Sequence, residues 1–219
     1  MDLFEREPMI VAPGAFLVPG WLSLQEQADL IALCRLWGRG PAGFHTPRMF
    51  DGKPLSIQSL YLGWYWRHGK GYTRIYDEAD GTPVKPFPAE LVTAARRAYA
   101  RTFGDDGCFA PDSAIINWYD HEAALGMHQD RGEADTVLVR GSPVISISLG
   151  DTGIFRFGNT ATRNKPYRDV ELQSGDLFVF GGPSRMAYHG VTRILPGTGP
   201  AELDLSGRLS VTIRESGMA

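Results

Sequence analysis

The strongest constraint on the fold is a run of short apolar segments that begins after Asp112. These segments are SAIINWY, PVISISL, GIFRFG, DVEL, DLFVFG, RMAYHGV and RLSVTIR, with Gly, Pro or Asp between them. In the second segment Ile145, Ile147 and Leu149 alternate with serines, which is typical of a half-buried strand. Closely spaced short strands of this kind are found in sandwiches and barrels.

We therefore expect a mainly β fold with flanking helices, built on a double-sheet jelly roll (a double-stranded β-helix) with room inside for a small ligand. Gly150 to Gly153 carries the turn chemistry of a tight hairpin. Ser23 to Glu26 reads S-x-x-E, a capping box, and predicts a helix that ends at Gly38. A second helix is predicted from about Pro88 to Phe103, with Gly104 as its cap.

Length and composition favour one domain over the whole chain, 1–219. The chain has 219 residues, 43% of them hydrophobic, and no linker interrupts it. We assign the helices and a nucleotide-recognition lid to 1–110 and the jelly-roll catalytic core to 111–219. The net charge of −3 argues against a protein that coats nucleic acid non-specifically. With no disulfide framework, signal peptide or apolar run of membrane-spanning length, a soluble protein of a reducing compartment, the cytoplasm, is expected. We also expect a monomer.

A histidine and an aspartate lie two residues apart in LGMHQDRGE. In extended backbone His128 and Asp130 share one face, and His189 lies on a later strand. Two imidazoles and one carboxylate form the facial triad of non-haem Fe(II) oxygenases. The H-x-D motif is weak alone, because Asp130 also fits a turn and His189 a core histidine. The other histidines are rival ligands: His121, and, outside the strand region, His45 and His68.

The last segment, RLSVTIR, has two arginines on one face. Arg208, Ser210 and Arg214 alternate with Leu, Val and Ile. The alternative without a binding role is a solvent-facing edge strand. Inside a metal-bearing barrel, the arginines offer charge-assisted contacts for a dicarboxylate. Asn117 and Tyr119 share a face of another strand and supply matching polar groups, although Tyr119 also fits a core aromatic.

Together these blocks resemble the AlkB-like iron(II)/2-oxoglutarate dioxygenases, which dealkylate nucleic-acid bases. The resemblance runs from about Val11 to Arg214, through N-W-Y, H-Q-D, V-I-S-I-S-L-G, I-F-R-F-G, G-D-L-F-V-F-G-G-P-S-R, Y-H-G and R-L-S-V-T-I-R. It implies Fe(II), 2-oxoglutarate and O2, with iron held by His128, Asp130 and His189. It implies a co-substrate pocket of Asn117, Tyr119, Arg208, Ser210 and Arg214. Arg208 would meet the distal carboxylate, and Arg214 would lie near the carboxylate that chelates iron.

The front part resembles the lid of the same family. The segment LYLGWYWRHGKGYTRIY matches the place where a Trp and a Tyr frame the flipped base. The resemblance implies that Trp64 packs beside the base, that Tyr72 touches the nucleotide backbone and that His128 forms the opposite wall. Basic residues suited to phosphate accompany these aromatics: Arg67, Lys70, Arg74 and, in TRNKPYR, the substrate-contacting Arg163. The alternatives are a plain aromatic core and a solvated arginine face.

The implied reaction is oxidative dealkylation of N-alkylated bases of the 1-methyladenine and 3-methylcytosine type in DNA or RNA. It releases an aldehyde, succinate and CO2, and it needs a single-stranded or flipped-out base. The chain departs from the family at Ser210, where an Asn is usual, and at Gly132, where DNA-repairing relatives carry a base-reading carboxylate. Loose choice among bases is therefore expected, with Glu133 as a substitute reader.

Two other functions fit parts of the sequence. The first is a 2-oxoglutarate-dependent hydroxylase of a protein or small molecule, which the acidic net charge favours and the aromatic, basic lid disfavours. The second is a non-catalytic, cupin-like binding module. Such a module does not need the arginine pair of the last strand together with H-x-D and a distant histidine.

Overall fold

Two antiparallel sheets face each other in the structure, a computed structural model that describes residues 6–49, 51–67, 71–76, 81–104 and 107–218. In spatial order the major sheet contains β1 (Met9–Ala12), β2 (Ala15–Val18), β13 (Leu177–Phe180), β10 (Val144–Gly150), β15 (Arg208–Arg214), β8 (Ser113–Tyr119) and β3 (Ile57–Leu62). The minor sheet contains β12 (Tyr167–Leu172), β11 (Thr152–Gly158), β14 (His189–Leu195) and β9 (Leu125–His128). The predicted jelly roll is confirmed.

Two helices cover the outer face of the major sheet. Helix α1 (Leu24–Trp37) begins at the predicted capping box, where the Glu26 amide donates to Ser23 Oγ at 3.3 Å and the Ser23 amide donates to Glu26 Oε2 at 2.8 Å. Helix α2 (Ala89–Phe103) buries Leu91 and two alanines in the same apolar core. Both predicted helices are present, and burial of their apolar faces against the sheet stabilises them more than local propensity does.

Strand β10 is buried on both faces, whereas its alternating pattern predicted a strand with only one buried face. Its isoleucines and Leu149 pack under the helices. Ser146 and Ser148 face the space between the sheets, where they hydrogen-bond to Ser210 and Arg208. The serines are tolerated inside because hydrogen bonds satisfy them. The face of β10 that is turned towards the space between the sheets is therefore polar.

The predicted hairpin at Gly150 to Gly153 is wrong. Strand β10 belongs to the major sheet and β11 to the minor sheet, and the two do not pair. Gly150 has φ +81°, so the chain turns a corner between the sheets there. Asp151 fixes this corner, since its Oδ1 accepts the backbone N–H groups of Thr198 at 3.0 Å and Gly199 at 2.9 Å.

The front part of the chain contributes more than helices and a lid, because β1, β2 and β3 belong to the major sheet. The division near residue 110 is therefore not a boundary of the β-structure. The lid contains two small hairpins, β4 (Tyr65–Arg67) with β5 (Gly71–Thr73) and β6 (Ile75–Tyr76) with β7 (Thr82–Pro83). The remaining short helices are α3 (Asp135–Arg140) and two 3-10 turns at Gly182–Ser184 and Ala201–Leu203. Among the described helices, none has the length and apolar character to cross a membrane.

Candidate active site

Three side chains with metal-ligand chemistry meet where β9 pairs with β14. His128 and His189 are directly opposed in the two strands, and their ring centroids lie 4.5 Å apart. Asp130 follows β9, with Oδ1 3.7 Å from His128 Nε2 and Oδ2 3.8 Å from His189 Nε2. One ligand atom from each residue lies within 4.8 Å of the others. This arrangement fits a single cation held by two imidazoles and a carboxylate.

Backbone carbonyls orient both imidazole rings for this task. His128 Nδ1 donates to the carbonyl of Gly126 at 2.9 Å, and His189 Nδ1 donates to that of Ala187 at 2.9 Å. Because a carbonyl only accepts, each Nδ1 carries the proton and each Nε2 keeps its lone pair for the metal. Burial, together with the neighbouring His128, lowers the pKa of His189 to about 4. His189 is therefore neutral near pH 7, as a metal ligand must be.

Asp130 is held in its ionised form. Burial opposes ionisation, but the positive charge of Arg214, followed by the interactions with His189 and His128, outweighs it and places the pKa of Asp130 well below its usual range. Arg214 Nε lies 3.4 Å from Asp130 Oδ2. A buried carboxylate that stays charged is suited to bind a divalent cation.

The rival histidines lie elsewhere. His121 Nε2 is 3.1 Å from Asp151 Oδ2, at the corner between β10 and β11. His45 Nδ1 bonds to the Ser59 carbonyl, and its ring packs against Tyr76. His68 lies outside the described residues. Among the histidines that the structure describes, only His128 and His189 join the group that could hold a metal.

Arg208 is a buried cation with room for an anionic partner. It is 1% exposed, and its guanidinium donates to Ser148 Oγ at 3.1 Å and to the Leu209 carbonyl at 3.4 Å. In the described part of the chain, Arg208 Nε has no hydrogen-bond acceptor and no carboxylate lies within ion-pair distance. Burial lowers the pKa of Arg208. Since an unpaired buried charge is costly, a ligand carboxylate here would satisfy it.

The residues predicted for the co-substrate line one cavity with the metal ligands. They are Asn117, Tyr119, Arg208, Ser210 and Arg214, beside His128, Asp130 and His189. In the sheet, Tyr119 is opposite Arg208 and Asn117 is opposite Ser210. Because β15 lies between β10 and β8, the edge-strand alternative for its arginines is wrong. Burial raises the pKa of Tyr119 to about 12, which keeps its hydroxyl protonated. Ser146 lines the same cavity and was missed by sequence reasoning, because its alternation suggested only a strand.

A second cavity of about 410 Å³ opens on the metal group. This substrate cavity falls within the range of small-molecule sites. Its walls combine apolar and aromatic side chains with three arginines, Arg131, Arg163 and, next to Asp130, Arg214. The aromatic side chains of its wall are Tyr61, Trp66 and Tyr188, and His128 and Asp130 lie at its inner end. A planar ligand in this cavity would lie against aromatic rings and next to the metal.

A family model for the 2OG-Fe(II) oxygenase superfamily matches residues 14–214. The alpha-ketoglutarate-dependent dioxygenase AlkB homolog of Caulobacter vibrioides is 37% identical over 213 residues, which covers 96% of this chain and 91% of that protein. The chain belongs to this superfamily, in its AlkB-like group. Fe(II) and 2-oxoglutarate are therefore its cofactors and O2 its co-substrate.

Two further relatives extend the comparison. The DNA N(6)-methyladenine demethylase ALKBH1D of Arabidopsis thaliana is 34% identical over 227 residues, covering 94% of this chain. The AlkB-like chain spans only about half of that protein, 50% of its length. The solved structure of OsALKBH1 superposes with a TM-score of 0.80 and 32% identity, over 95% of this chain and 100% of that chain.

The lid of the AlkB-like chain differs from the sequence prediction at Trp64. This indole is buried, 8% exposed, and its Nε1 donates to Asp112 Oδ2 at 3.2 Å. Gly63, just before it, has φ +80°, and Trp64 does not line the substrate cavity. The guanidinium of Arg74 stacks 3.6 Å from the Trp64 ring centroid and bonds to the Gly63 carbonyl. Trp64 and Arg74, for which base-stacking and phosphate roles were predicted, therefore do not line the substrate cavity, and Trp66 is the tryptophan of the cavity wall.

Of the other residues predicted to contact the substrate, Arg163 lines the cavity and Tyr72 bonds to another side chain. The hydroxyl of Tyr72 donates to Glu133 Oε1 at 3.3 Å, and its contact with a nucleotide backbone stays a prediction. Arg163 lines the cavity as expected, with its guanidinium 5.9 Å from the Tyr188 ring centroid. Lys70 lies outside the described residues. Of the predicted basic cluster, Arg74 is engaged within the lid, where it stacks on Trp64 and bonds to the Gly63 carbonyl.

A buried ionic network lies behind the metal group. Glu133 Oε2 is 3.0 Å from Arg185 Nη2, and Glu133 Oε1 is 3.4 Å from Arg214 Nη1. Arg185 also donates to the backbone carbonyl of Asp130 at 2.7 Å. Glu133 is 4% exposed and absent from the cavity wall, so it does not substitute as a base reader. Sequence reasoning missed Arg185, because no local pattern separates a buried arginine in GGPSR from a surface one.

Proposed function

We propose that this chain is an Fe(II)/2-oxoglutarate-dependent dealkylase that removes alkyl groups from ring or exocyclic nitrogens of bases in DNA or RNA. The observation that carries the proposal is the substrate cavity, which joins aromatic walls and three arginines to the metal group. Nucleobases are planar and stack on aromatic rings, and arginines bind the phosphates that accompany them. Two relatives support this proposal: the AlkB homolog is an alpha-ketoglutarate-dependent dioxygenase, and ALKBH1D is a DNA N(6)-methyladenine demethylase.

The residues of the first cavity, which holds the metal ligands and the predicted co-substrate residues, have distinct proposed roles. His128, Asp130 and His189 hold iron, while Arg208 pairs with the distal carboxylate of 2-oxoglutarate. Arg214 steadies the carboxylate end next to iron, and Asn117, Tyr119 and Ser210 add polar contacts along the co-substrate. When bound, iron with 2-oxoglutarate and O2 supplies the oxidation of the alkyl carbon. The protein positions the base and limits the access of water.

The proposed reaction balances without any further reactant. With iron, 2-oxoglutarate and O2 bound, the oxidation would leave one oxygen atom of O2 in succinate, release CO2 and place the other oxygen atom in the alkyl C–H bond. The resulting N–CH2–OH group breaks its C–N bond, leaves as formaldehyde and returns the nitrogen to N–H. Methylated adenine and cytosine are both of the right chemical type, including 1-methyladenine, 3-methylcytosine and N6-methyladenine.

The test is a panel of oligonucleotides that carry these three bases in DNA and in RNA. The protein is incubated with Fe(II), 2-oxoglutarate and ascorbate, and mass spectrometry follows the loss of each methyl group together with succinate. The Asp130→Ala variant is the matched inactive control. Succinate formation with no loss of a methyl group from any oligonucleotide would reject the proposal and favour a protein or small-molecule hydroxylase.

We further propose a cytoplasmic, monomeric enzyme whose single domain acts on single-stranded or flipped-out bases. Cys34 and Cys108 form no disulfide, which suits a reducing compartment. A base must leave the stack to reach a metal at the inner end of a cavity, and this costs least in a single strand. Comparing single-stranded with duplex oligonucleotides tests the preference, and gel filtration with light scattering tests the monomer.

A further inference from the structure

One lid hairpin docks on the segment that follows the metal-binding aspartate. In the β4–β5 hairpin, Trp66 is directly opposite Tyr72. Directly opposed residues of an antiparallel pair project to the same face. The Trp66 ring lies against Gly132, and the Tyr72 hydroxyl reaches Glu133 at 3.3 Å. Two lid aromatics therefore contact two consecutive residues just beyond Asp130.

The contact between Trp66 and Gly132 depends on the absence of a side chain. A Cβ placed on Gly132 would lie 2.1 Å from Trp66 Nε1 and 2.2 Å from Trp66 Cδ1. Gly132 is not among the glycines with positive φ, so its backbone is open to other residues. Any larger residue at this position would displace the indole, and Gly132 thus provides the space that the ring occupies.

The position of Trp66 gives it direct access to a ligand. It lines the substrate cavity together with His128, whereas Trp64 is buried against Asp112. We propose that Trp66, seated on Gly132, is the aromatic wall on which the alkylated base stacks, and that Glu133 holds this wall through Tyr72. The proposal rests on the nucleic-acid dealkylase function and identifies the residues that recognise the base.

Glu133 is suited to anchor the hairpin. Its carboxylate is buried and held from two sides by Arg185 and Arg214, at 3.0 and 3.4 Å. A carboxylate fixed in this way is a rigid acceptor for the Tyr72 hydroxyl. Glu133 does not line the cavity, so it is a positioning residue that acts through Tyr72 and its cross-strand partner Trp66.

Stacking on an indole should make the enzyme discriminate weakly between alkylated bases. Every base offers a π face, so stacking discriminates weakly between bases. The wall at this position has no hydrogen-bonding side chain on residue 132 to select one base edge. Loss of the Trp66 ring should therefore slow the reaction on alkylated adenine and alkylated cytosine by similar factors.

The experiment compares Trp66→Ala, Trp66→Phe, Gly132→Ala and the Trp66→Ala/Gly132→Ala double variant with wild type. Trp64→Phe is the matched control, a tryptophan change outside the cavity. Each variant is assayed for kcat/KM on a methylated oligonucleotide, for its KM towards the co-substrate 2-oxoglutarate and for melting temperature. Binding of a labelled methylated oligonucleotide to the Mn(II)- and 2-oxoglutarate-loaded protein gives an affinity without turnover.

Trp66→Ala should lower kcat/KM and oligonucleotide affinity about five- to a hundred-fold, the range measured for loss of base stacking. Trp66→Phe should retain most of both, and Gly132→Ala should cause a loss like that of Trp66→Ala. The double variant should be no worse than Trp66→Ala, because the ring that the new methyl group displaces is already gone. The KM for the co-substrate should not change, and Trp64→Phe should alter only the melting temperature.

Two further variants test the anchor. Tyr72→Phe removes only the hydroxyl and should raise the KM for the oligonucleotide while leaving the KM for the co-substrate unchanged. Glu133→Gln keeps the shape of the side chain, and if it folds it should act in the same direction. A Tyr72→Phe enzyme identical to wild type would overturn the role of Glu133.

The outcomes separate the two proposals. If Trp66→Ala matches wild type on the oligonucleotide, or if Trp64→Phe shows the larger loss, the wall assignment is overturned while the dealkylase function stands. If the double variant loses the sum of the two single losses, the steric dependence of Trp66 on Gly132 is overturned. A wild-type enzyme that turns over 2-oxoglutarate but restores no base would overturn the function and the wall together.

Discussion

The guanidinium of Arg208 donates to the hydroxyl of Ser148 at 3.1 Å across the neighbouring strands β15 and β10. Both side chains lie between the two sheets, away from solvent. A neutral hydroxyl orients the buried cation without neutralising it, so the charge remains available to a ligand carboxylate. A carboxylate in the place of the Ser148 hydroxyl would instead neutralise the charge in an internal salt bridge.

Arg208→Ala should weaken the apparent affinity for 2-oxoglutarate about ten- to a hundred-fold, since a charge-assisted contact contributes about 1.5–3 kcal/mol. Succinate formation measured against 2-oxoglutarate concentration gives this value. Arg101→Ala, a change of an exposed arginine near the end of α2, is the matched control and should have no effect. An unchanged affinity in Arg208→Ala would contradict the assignment.

Asp130→Ala should abolish Fe(II)-dependent turnover of 2-oxoglutarate, because two imidazoles without the carboxylate leave an incomplete, more weakly binding metal site. Calorimetric titration with Mn(II) checks metal binding apart from activity. His121→Ala should keep both, since His121 pairs with Asp151 rather than with the metal group. Loss of metal binding in His121→Ala with retention in His128→Ala would reverse the ligand assignment.

Arg163→Gln should weaken oligonucleotide binding to a similar extent for all sequences and reduce its salt dependence, as loss of a phosphate contact does. Arg74→Gln should behave differently, because Arg74 stacks on Trp64 inside the lid and does not line the cavity. It should lower the melting temperature and leave the salt slope unchanged. Fluorescence anisotropy at several salt concentrations measures both slopes, and equal slopes for Arg163→Gln and wild type would exclude the phosphate contact.

Acid should destabilise the protein partly through Glu26 at the start of α1. A hydrogen bond from Arg97, followed by those from Ser23, lowers the pKa of Glu26 from 4.5 to about 2. Because the pKa is lower in the folded state, the stabilisation is complete above pH 4.5 and is lost as pH falls towards 2. Glu26→Gln should therefore show a smaller fall in unfolding free energy across this window, measured by urea denaturation. An identical pH dependence in the variant would show that Glu26 contributes nothing.

Local patterns in the sequence predicted much of this fold. The capping box predicted the start of α1. In SAIINWY and RLSVTIR, the alternation of side chains between the two faces of a strand predicted that the polar residues of β8 share one face and that those of β15 share one face. These predictions succeeded because helix caps and strand alternation depend on neighbouring residues along the chain. The alternation of isoleucine and serine in β10 could not show that this strand is buried on both faces, because the helices that cover its outer face are distant in the sequence.

What only the tertiary structure decided concerns contacts between distant segments. Trp64 and Trp66 are two residues apart and both are tryptophans, but Trp64 donates to Asp112 whereas the Trp66 ring lies against Gly132. The partners of Glu133 are similarly remote in the chain, at Arg185 and Arg214. The sequence by itself determined which side chains share a strand face, because that depends on backbone geometry. Which aromatic ring faces the substrate, and which charges are paired inside, depends on how the lid packs on the barrel.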